Sequence, residues 1–496
     1  MEQREITTVS GDTVAIPVAD RLYIDGAFVA GETTIPTTNP TTGDHLAELP
    51  VASTEQVAKA MTAASRAAEE WQALPFATRA ARLELFATIL EANADDIAAI
   101  DAADNGSSFS KMRDDVEKSV RAIRYYAGLA GELKGETIPT PGETFDFTLR
   151  EPHGAVVSIL PFNHPTMFLV RDLAPALIAG NAITIKPSEY TSLSALYVAH
   201  LIDNADCFPD GLVNVLAGEG AVGAALVDHE ETAFVSFRGS VKTGRKVMAA
   251  AGANLIPSIV ELGGKNPAIV FPDADVEQVK DGVVSGMSLA WQGQSCASGS
   301  RLLVHEDVYD EVVSGVVERF ANTAVGDPFD EDVTMGAIVS EPQYEQVLDY
   351  IETTKAEGAT CLTGGGPVPD LPGFFVQPTV FEVTPEMTIA SEEIFGPVLS
   401  VMKWSEYDDV IDLANAVDFG LTASIWTTDL NTAHKTAQSL DAGYVWVNRH
   451  GGIYLQTPFG GFKDSGVGKH GGLGGLFVYT REKNVNLDLS GPLAYE

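Results

Sequence analysis

Four short apolar runs in the first half of the chain constrain its fold more than any other feature. Val156-Val157-Ser158-Ile159-Leu160, Ala182-Ile183-Thr184-Ile185, Leu212-Val213-Asn214-Val215-Leu216 and Ala233-Phe234-Val235-Ser236-Phe237 are largely apolar, with helical stretches between them. A strand without a polar face is covered on both sides, as parallel strands are beneath crossover helices. This alternation predicts a parallel α/β sheet over residues 150–260. A second set predicts a second α/β lobe: Pro267-Ala268-Ile269-Val270-Phe271, Arg301-Leu302-Leu303-Val304-His305, Val398-Leu399-Ser400-Val401-Met402 and Tyr444-Val445-Trp446-Val447-Asn448. At 496 residues the chain exceeds one simple core, in keeping with two or three lobes.

Outside these sets the sequence is less regular. Residues 1–20 read as a loose leader, and Leu22 to Val29 as strand, turn, strand. Residues 54–101 carry two helical patterns, the second with Leu83, Leu85, Phe86, Ile89 and Leu90 on its apolar face. The stretch 134–152 contains Pro139, Pro141 and threonine-rich extended sequence. It reads as an excursion available for pairing with another chain.

Charge narrows the partners. Asp plus Glu number 69 against 31 Lys plus Arg, a formal net charge of −38. A field of that sign repels nucleic acid and anionic membrane. The acidic residues are dispersed, as in Glu69-Glu70 and Asp95-Asp96, which fits either a plain, strongly acidic soluble surface or one adapted to a high-salt cytoplasm. The three cysteines, Cys207, Cys296 and Cys361, form no Cys-x-x-Cys pair, so no metal site is expected and a reducing cytosol fits. No apolar signal region follows Met1 and no run of about 18 apolar residues occurs, so a cytoplasmic, membrane-free protein is expected.

Three residues stand out chemically. A lone cysteine is usually a small buried hydrophobe, which suits Cys207 and Cys361. Cys296 differs, because Gly293, Gln294, Ser295, Ser298, Gly299 and Ser300 crowd it with small polar neighbours suited to an accessible turn. Glu261 follows the apolar Ile256 and Val260 and precedes Gly263-Gly264. A carboxylate at such a strand end is desolvated, which raises its pKa toward a useful general-base range, whereas a solvated glutamate is the plainer alternative. A thiol and a carboxylate together can form and then hydrolyse a thioester. Asn163, in Leu160-Pro161-Phe162-Asn163-His164-Pro165, offers an amide donor for an oxyanion, or only a turn before Pro165.

These segments, Trp291-Gln292-Gly293-Gln294-Ser295-Cys296-Ala297 and Glu261-Leu262-Gly263-Gly264-Lys265, resemble the aldehyde dehydrogenase superfamily in order and spacing. So do Glu392-Glu393-Ile394-Phe395-Gly396-Pro397-Val398 and Pro458-Phe459-Gly460-Gly461-Phe462-Lys463-Asp464-Ser465-Gly466. The resemblance spans roughly residues 20–490. It implies two Rossmann-like parallel-sheet lobes plus a small β oligomerisation element. The implied division is an NAD-binding domain of 1–133, 153–260 and 465–479, a catalytic domain of 261–464, and an oligomerisation element of 134–152 and 480–496. A homodimer or homotetramer is implied.

The resemblance also implies roles. Cys296 is the nucleophile, Asn163 an oxyanion donor, and Glu261 the base that activates water, which argues against relatives that pass the acyl group to coenzyme A. Gly218-Glu219-Gly220-Ala221-Val222-Gly223 formally fits the dinucleotide fingerprint. The resembled family instead binds pyrophosphate one strand later, at Phe237 to Gly244, so Gly239, Ser240 and Gly244 are favoured and Gly220 is left to the adenine side. Lys186 and Glu189 would bind the adenosine ribose, favouring NAD, with NADP as the alternative. Pro161, Phe162, Leu262, Glu393 and Phe395 would complete the cofactor contacts. His164, Arg171 and Phe459 would face the substrate. Arg171 is either a contact for an anionic semialdehyde or a surface ion pair, and the second arginine of such enzymes is replaced by Ala290. Arg238 replaces a usual threonine, and Lys469-His470 replaces a common Arg-Glu pair with no obvious catalytic cost. Two other readings stay open: a thiol-dependent acyl transferase or hydrolase without redox chemistry, and a non-catalytic protein on an enzyme fold.

Overall fold

The computed structural model describes residues 2–491. Its first large sheet has five parallel strands, in spatial order Ser258–Glu261, Thr232–Arg238, Ala155–Ile159, Ala182–Lys186 and Val213–Val215. Antiparallel strands extend both edges: Gly466–Val467 beside Ser258–Glu261, and the Leu22–Ile24/Ala27–Val29 hairpin beside Val213–Val215. Strand order reverses between Ala155–Ile159 and Thr232–Arg238. Chain leaving two such neighbours diverges to opposite sides and opens a crevice at their carboxyl ends. Asn163 follows the first of these strands, and Gly239-Ser240 follows the second.

The second sheet has seven strands in order Thr360–Thr363, Thr379–Glu382, Val398–Trp404, Arg301–His305, Pro267–Val270, Thr422–Trp426 and Tyr444–Val447. All neighbours are parallel except the first pair. This lobe turns the amino ends of its strands toward the crevice. Gly263-Gly264 precede Pro267, Cys296 precedes Arg301, and Phe395 precedes Val398. The site therefore lies where the strand ends of one lobe meet the strand starts of the other.

Each sheet has its own core. Val156, Val157, Ile183, Ile185 and Val235 are buried under helices Thr54–Gln72 and Pro165–Ala179 in the first lobe. Ile269, Leu303 and Ile425 lie on one face of the second sheet, and Ala268, Val270 and Leu302 on the other. Both faces are filled, as the apolar runs require.

A third sheet pairs Thr144–Pro152 with Thr480–Asp488 over nine antiparallel residue pairs, with Thr137–Ile138 on the outer edge. The expected 480–496 segment runs beyond the described residues from 492 onward.

The structure corrects three sequence expectations. The expected loose leader is instead ordered over its described residues: Glu2–Thr7 and Thr13–Val18 form a hairpin. Residues 54–105 form three helices, Thr54–Gln72, Phe76–Ala92 and Ala94–Asn105. Leu85 points to solvent, because the buried stripe of its helix is Leu83, Phe86, Ala87 and Leu90. No helix among the described residues is long and apolar enough to cross a membrane.

Candidate active site

Cys296 sits in a loop shaped by backbone that few side chains tolerate. Gln292 and Gly293 both have positive φ, 55° and 68°. A β-carbon on Gly293 would lie 2.3 Å from the Gly396 carbonyl oxygen, so the loop passes directly over the Phe395-Gly396 turn. Asn266 fixes the loop from beneath, its Nδ2 donating to the carbonyls of Cys296 and Ser298, each at 2.8 Å. A β-carbon on Gly264 would come within 2.4 Å of the Cys296 carbonyl oxygen, so the Gly-Gly step lets the chain that follows Glu261 approach the cysteine loop.

Asn163 is buried, and its Nδ2 donates to the Gln294 carbonyl at 2.9 Å. An amide nitrogen carries two protons, so one N–H remains for a ligand. Asn163 is thereby tied to the segment that carries the cysteine.

Glu261 is buried at the end of its strand, with Oε1 unpartnered. Burial pushes its pKa upward, and Arg238 opposes that shift. Cys296 opens partly to the cleft. Burial and the adjacent Glu261 raise its thiol pKa well above the usual range, so the resting sulfur is protonated.

A cleft of about 740 Å³ runs from Cys296 along the carboxyl ends of the first sheet. Pro161, Phe162, Lys186, Glu189, Gly220, Gly239, Ser240, Leu262, Glu393 and Phe395 are all on its walls. The volume lies within the usual range of ligand sites. Ser240 caps helix Val241–Ala253 and accepts from Thr243 N, so that helix's amino end faces the cleft. Lys186 is buried with Nζ 3.5 Å from Glu189, and burial lowers its pKa. Glu393 accepts from Gly264 N at 2.9 Å, and burial raises its pKa to about 7. A helix amino end, a buried lysine and two wall carboxylates suit a phosphate- and ribose-bearing ligand.

Gly244 is a correction. It is not on the cleft wall; a β-carbon there would meet Leu262 Cδ2 at 2.5 Å, so its small size serves helix packing.

A second cavity of about 40 Å³ lies on the far side of Glu261, lined by Tyr126, Phe168, Arg171, Tyr454, Phe459 and His470 among others. Phe168, Arg238 and Glu261 border both cavities. Arg171 makes no ion pair or side-chain hydrogen bond among the described residues, and burial lowers its pKa. His164 is a second correction. It lines neither cavity, because its Nδ1 lies 2.5 Å from the buried Asp115, beside Trp291. Burial disfavours the charge on Asp115, but His164 and Lys118 outweigh it and hold its pKa at about 2.

Arg238 and His470 are what the sequence reading missed. Each looked like an isolated departure, yet Arg238 Nη2 donates to His470 Nδ1 at 2.9 Å. Distance along the chain hid the pairing.

The geometry defines a class: a two-lobed α/β fold with a cysteine thiol and a buried carboxylate on the wall of a dinucleotide-sized cleft. Comparison with known proteins makes this specific. The aldehyde dehydrogenase family model matches residues 28–485, and the chain belongs to that family. It is 42% identical to a hydroxyisobutyraldehyde dehydrogenase of Mycolicibacterium austroafricanum, covering 94% of each chain. It is 41% identical to a betaine aldehyde dehydrogenase of Brucella anthropi, covering 94% of this chain and 97% of the relative. An aldehyde dehydrogenase of Bacillus cereus, solved as its NAD+ complex, superposes with a TM-score of 0.93 at 38% identity, over 95% of this chain and 97% of that one. The chain is an oxidoreductase that acts on aldehydes.

Proposed function

We propose that the chain oxidises an aldehyde to its carboxylic acid with NAD+, using Cys296 as nucleophile, Asn163 as oxyanion donor and Glu261 as general base. The observation that carries this is the placement of all three at one end of the large cleft, with the Asn163 amide tied to the cysteine segment. The Cys296 thiol loses its proton to water in the open cleft, and its sulfur adds to the carbonyl carbon. The free Asn163 N–H and the loop backbone steady the oxygen that gains charge. A nicotinamide dinucleotide in the cleft supplies a hydride acceptor, a chemistry no side chain has. The remaining acyl group is a thioester on Cys296. Glu261 then removes a proton from water as that water attacks the acyl carbon, and the C–S bond breaks to release acid and thiolate.

Glu189 supports NAD over NADP, since a carboxylate on the ribose side repels a 2′-phosphate. A redox-free acyl transferase would leave the ribose-side Lys186–Glu189 pair without a purpose. In the second cavity the unpaired Arg171 supports an aldehyde with an anionic tail, and disfavours a cationic aldehyde such as the betaine aldehyde named for one relative.

The three-stranded sheet supports a homodimer or homotetramer. Phe145, Leu149 and Leu487 leave an apolar stripe at its surface, with Leu487 directly opposite Phe145. Three free thiols, one of them exposed, support a reducing cytoplasm.

The test is NADH formation under stopped flow. Cys296→Ala should show neither burst nor turnover. Glu261→Gln should keep a first-turnover burst and lose steady-state rate by roughly 100-fold, the usual scale for a general base. Full turnover in either variant rejects the assignment.

A further inference from the structure

Arg238 ends its strand, and its in-register neighbour on the next strand is Glu261. The whole guanidinium is buried, at 3% exposure. Its Nη1 donates to Asp172 Oδ2 at 2.8 Å, its Nη2 donates to His470 Nδ1 at 2.9 Å, and its Nε lies 3.8 Å from Glu261 Oε2. The Phe168 ring covers one face, its centre 5.0 Å from the guanidinium carbon.

The support behind it is equally fixed. Asp172 is held through both oxygens, accepting from Ser158 Oγ at 2.7 Å and Tyr479 OH at 3.0 Å as well as from Arg238. His470 exchanges two backbone hydrogen bonds with Phe459, each 2.7 Å. Burial and the adjacent cation lower the His470 pKa to about 3, so the imidazole is neutral and accepts. Burying a guanidinium this completely is unfavourable unless every side is answered. Here Asp172, His470 and the Phe168 face answer three sides, and the fourth is turned to Glu261.

We propose that Arg238 is a positioning residue for thioester hydrolysis: anchored on Asp172 and His470, it holds the Glu261 carboxylate ionised and fixed between Cys296 and the substrate cavity. The inference rests on the reading of Glu261 as the base. Glu261 is otherwise a poor host for charge. It is faced by Asp172 and Arg171 from helix Pro165–Ala179, by Cys296 and Glu393 from the second lobe, and by His470 behind Arg238. Of these groups, Arg238 is the closest cation. Without it, burial and the two acidic neighbours would push Glu261 further toward its protonated form, which cannot take a proton from water. The pair also explains why an arginine at 238 and a histidine at 470 lie side by side. The guanidinium needs an uncharged acceptor beside it, and His470 is one.

The test compares Arg238→Met, the doubly neutral Asp172→Asn/Arg238→Met, and Glu261→Gln, using NADH burst amplitude, kcat and the pH profile of kcat. The Arg238→Met variant is expected to keep a burst near one NADH per active site while kcat falls about tenfold and the acidic limb moves up by about one pH unit, the usual effect of one adjacent charge. Should Arg238→Met fail to fold because Asp172 is stranded, the double variant removes that charge too; its limb must still move up, by less, because Asp172 itself raises the Glu261 pKa. A folded variant with kcat within twofold and an unmoved limb overturns the proposal, as does loss of the burst together with kcat. If Glu261→Gln turns over normally, the base assignment itself falls. If it stalls after the burst while the Arg238 variants behave as wild type, only the role of Arg238 falls.

Discussion

Residue by residue, the chemistry was legible where neighbours along the chain announce it. Small polar residues around Cys296 and the Gly-Gly step after Glu261 are local signals, and the structure shows the close approaches that require them. The Arg238–His470 contact was not legible, because the two residues lie 232 positions apart and each is unremarkable alone. His164 was misread for the same reason: its partner Asp115 lies on another helix. Arg171 could be narrowed only to two readings, substrate contact or surface pair, and its unpaired place on the second cavity favours the first. A charge-assisted hydrogen bond to a ligand carboxylate is worth about 1.5–3 kcal/mol. Arg171→Ala should therefore lower kcat/KM for an ω-carboxylate aldehyde by roughly 10- to 100-fold, while leaving a neutral aldehyde of equal length within about threefold. Equal losses for both substrates would show that the arginine only supports packing.

At the scale of elements, strands with two buried faces were readable and strands with one were not. Ala155–Ile159, Ala182–Lys186 and Arg301–His305 have largely apolar centres and are buried on both faces. The Glu2–Thr7 strand is mostly polar and exposed, so no pattern marked it, and Thr360–Thr363 is a short, half-open edge. Loop geometry was invisible too, since glycine content alone does not say which glycine bears strain. Two substitutions separate the cases. Gly293→Ala places a methyl at positive φ against the Gly396 carbonyl. Strain of about 1–3 kcal/mol is expected there, read as a lower Tm and a reduced burst from a displaced Cys296. At Gly252, inside helix Val241–Ala253, an added β-carbon would meet nothing within 4 Å. Gly252→Ala should therefore raise stability by about 0.4–1 kcal/mol with kinetics unchanged. If Gly293→Ala proves as benign as Gly252→Ala, the tight loop does not position the nucleophile.

The whole molecule carries a charge that no single element explains. With a net −38 dispersed over one fold, exposed acids such as Glu69, Glu70 and Asp95 lie on a surface that repels itself. Local ion pairs do not cancel this, because the cations are fewer than half the anions and several are already used in the interior, as Arg238, Lys265 and Arg301 are. Self-repulsion destabilises the compact state and falls as counterions screen it, with the Debye length shrinking from about 10 Å at 0.1 M to about 3 Å at 1 M. The active site is insulated from this effect: the Arg238–Asp172 and Arg238–Glu261 pairs are buried, where salt screens little. Stability and catalysis should therefore respond differently to salt. Raising KCl from 0.1 to 2 M should lift Tm by roughly 5 °C or more, with much of the gain below 1 M, while the acidic limb of kcat stays within about 0.3 pH unit. An equal rise with sucrose of matched osmolality would assign the gain to solute exclusion instead of charge. A Tm that is flat or falls with KCl would remove the case for a fold adapted to high salt.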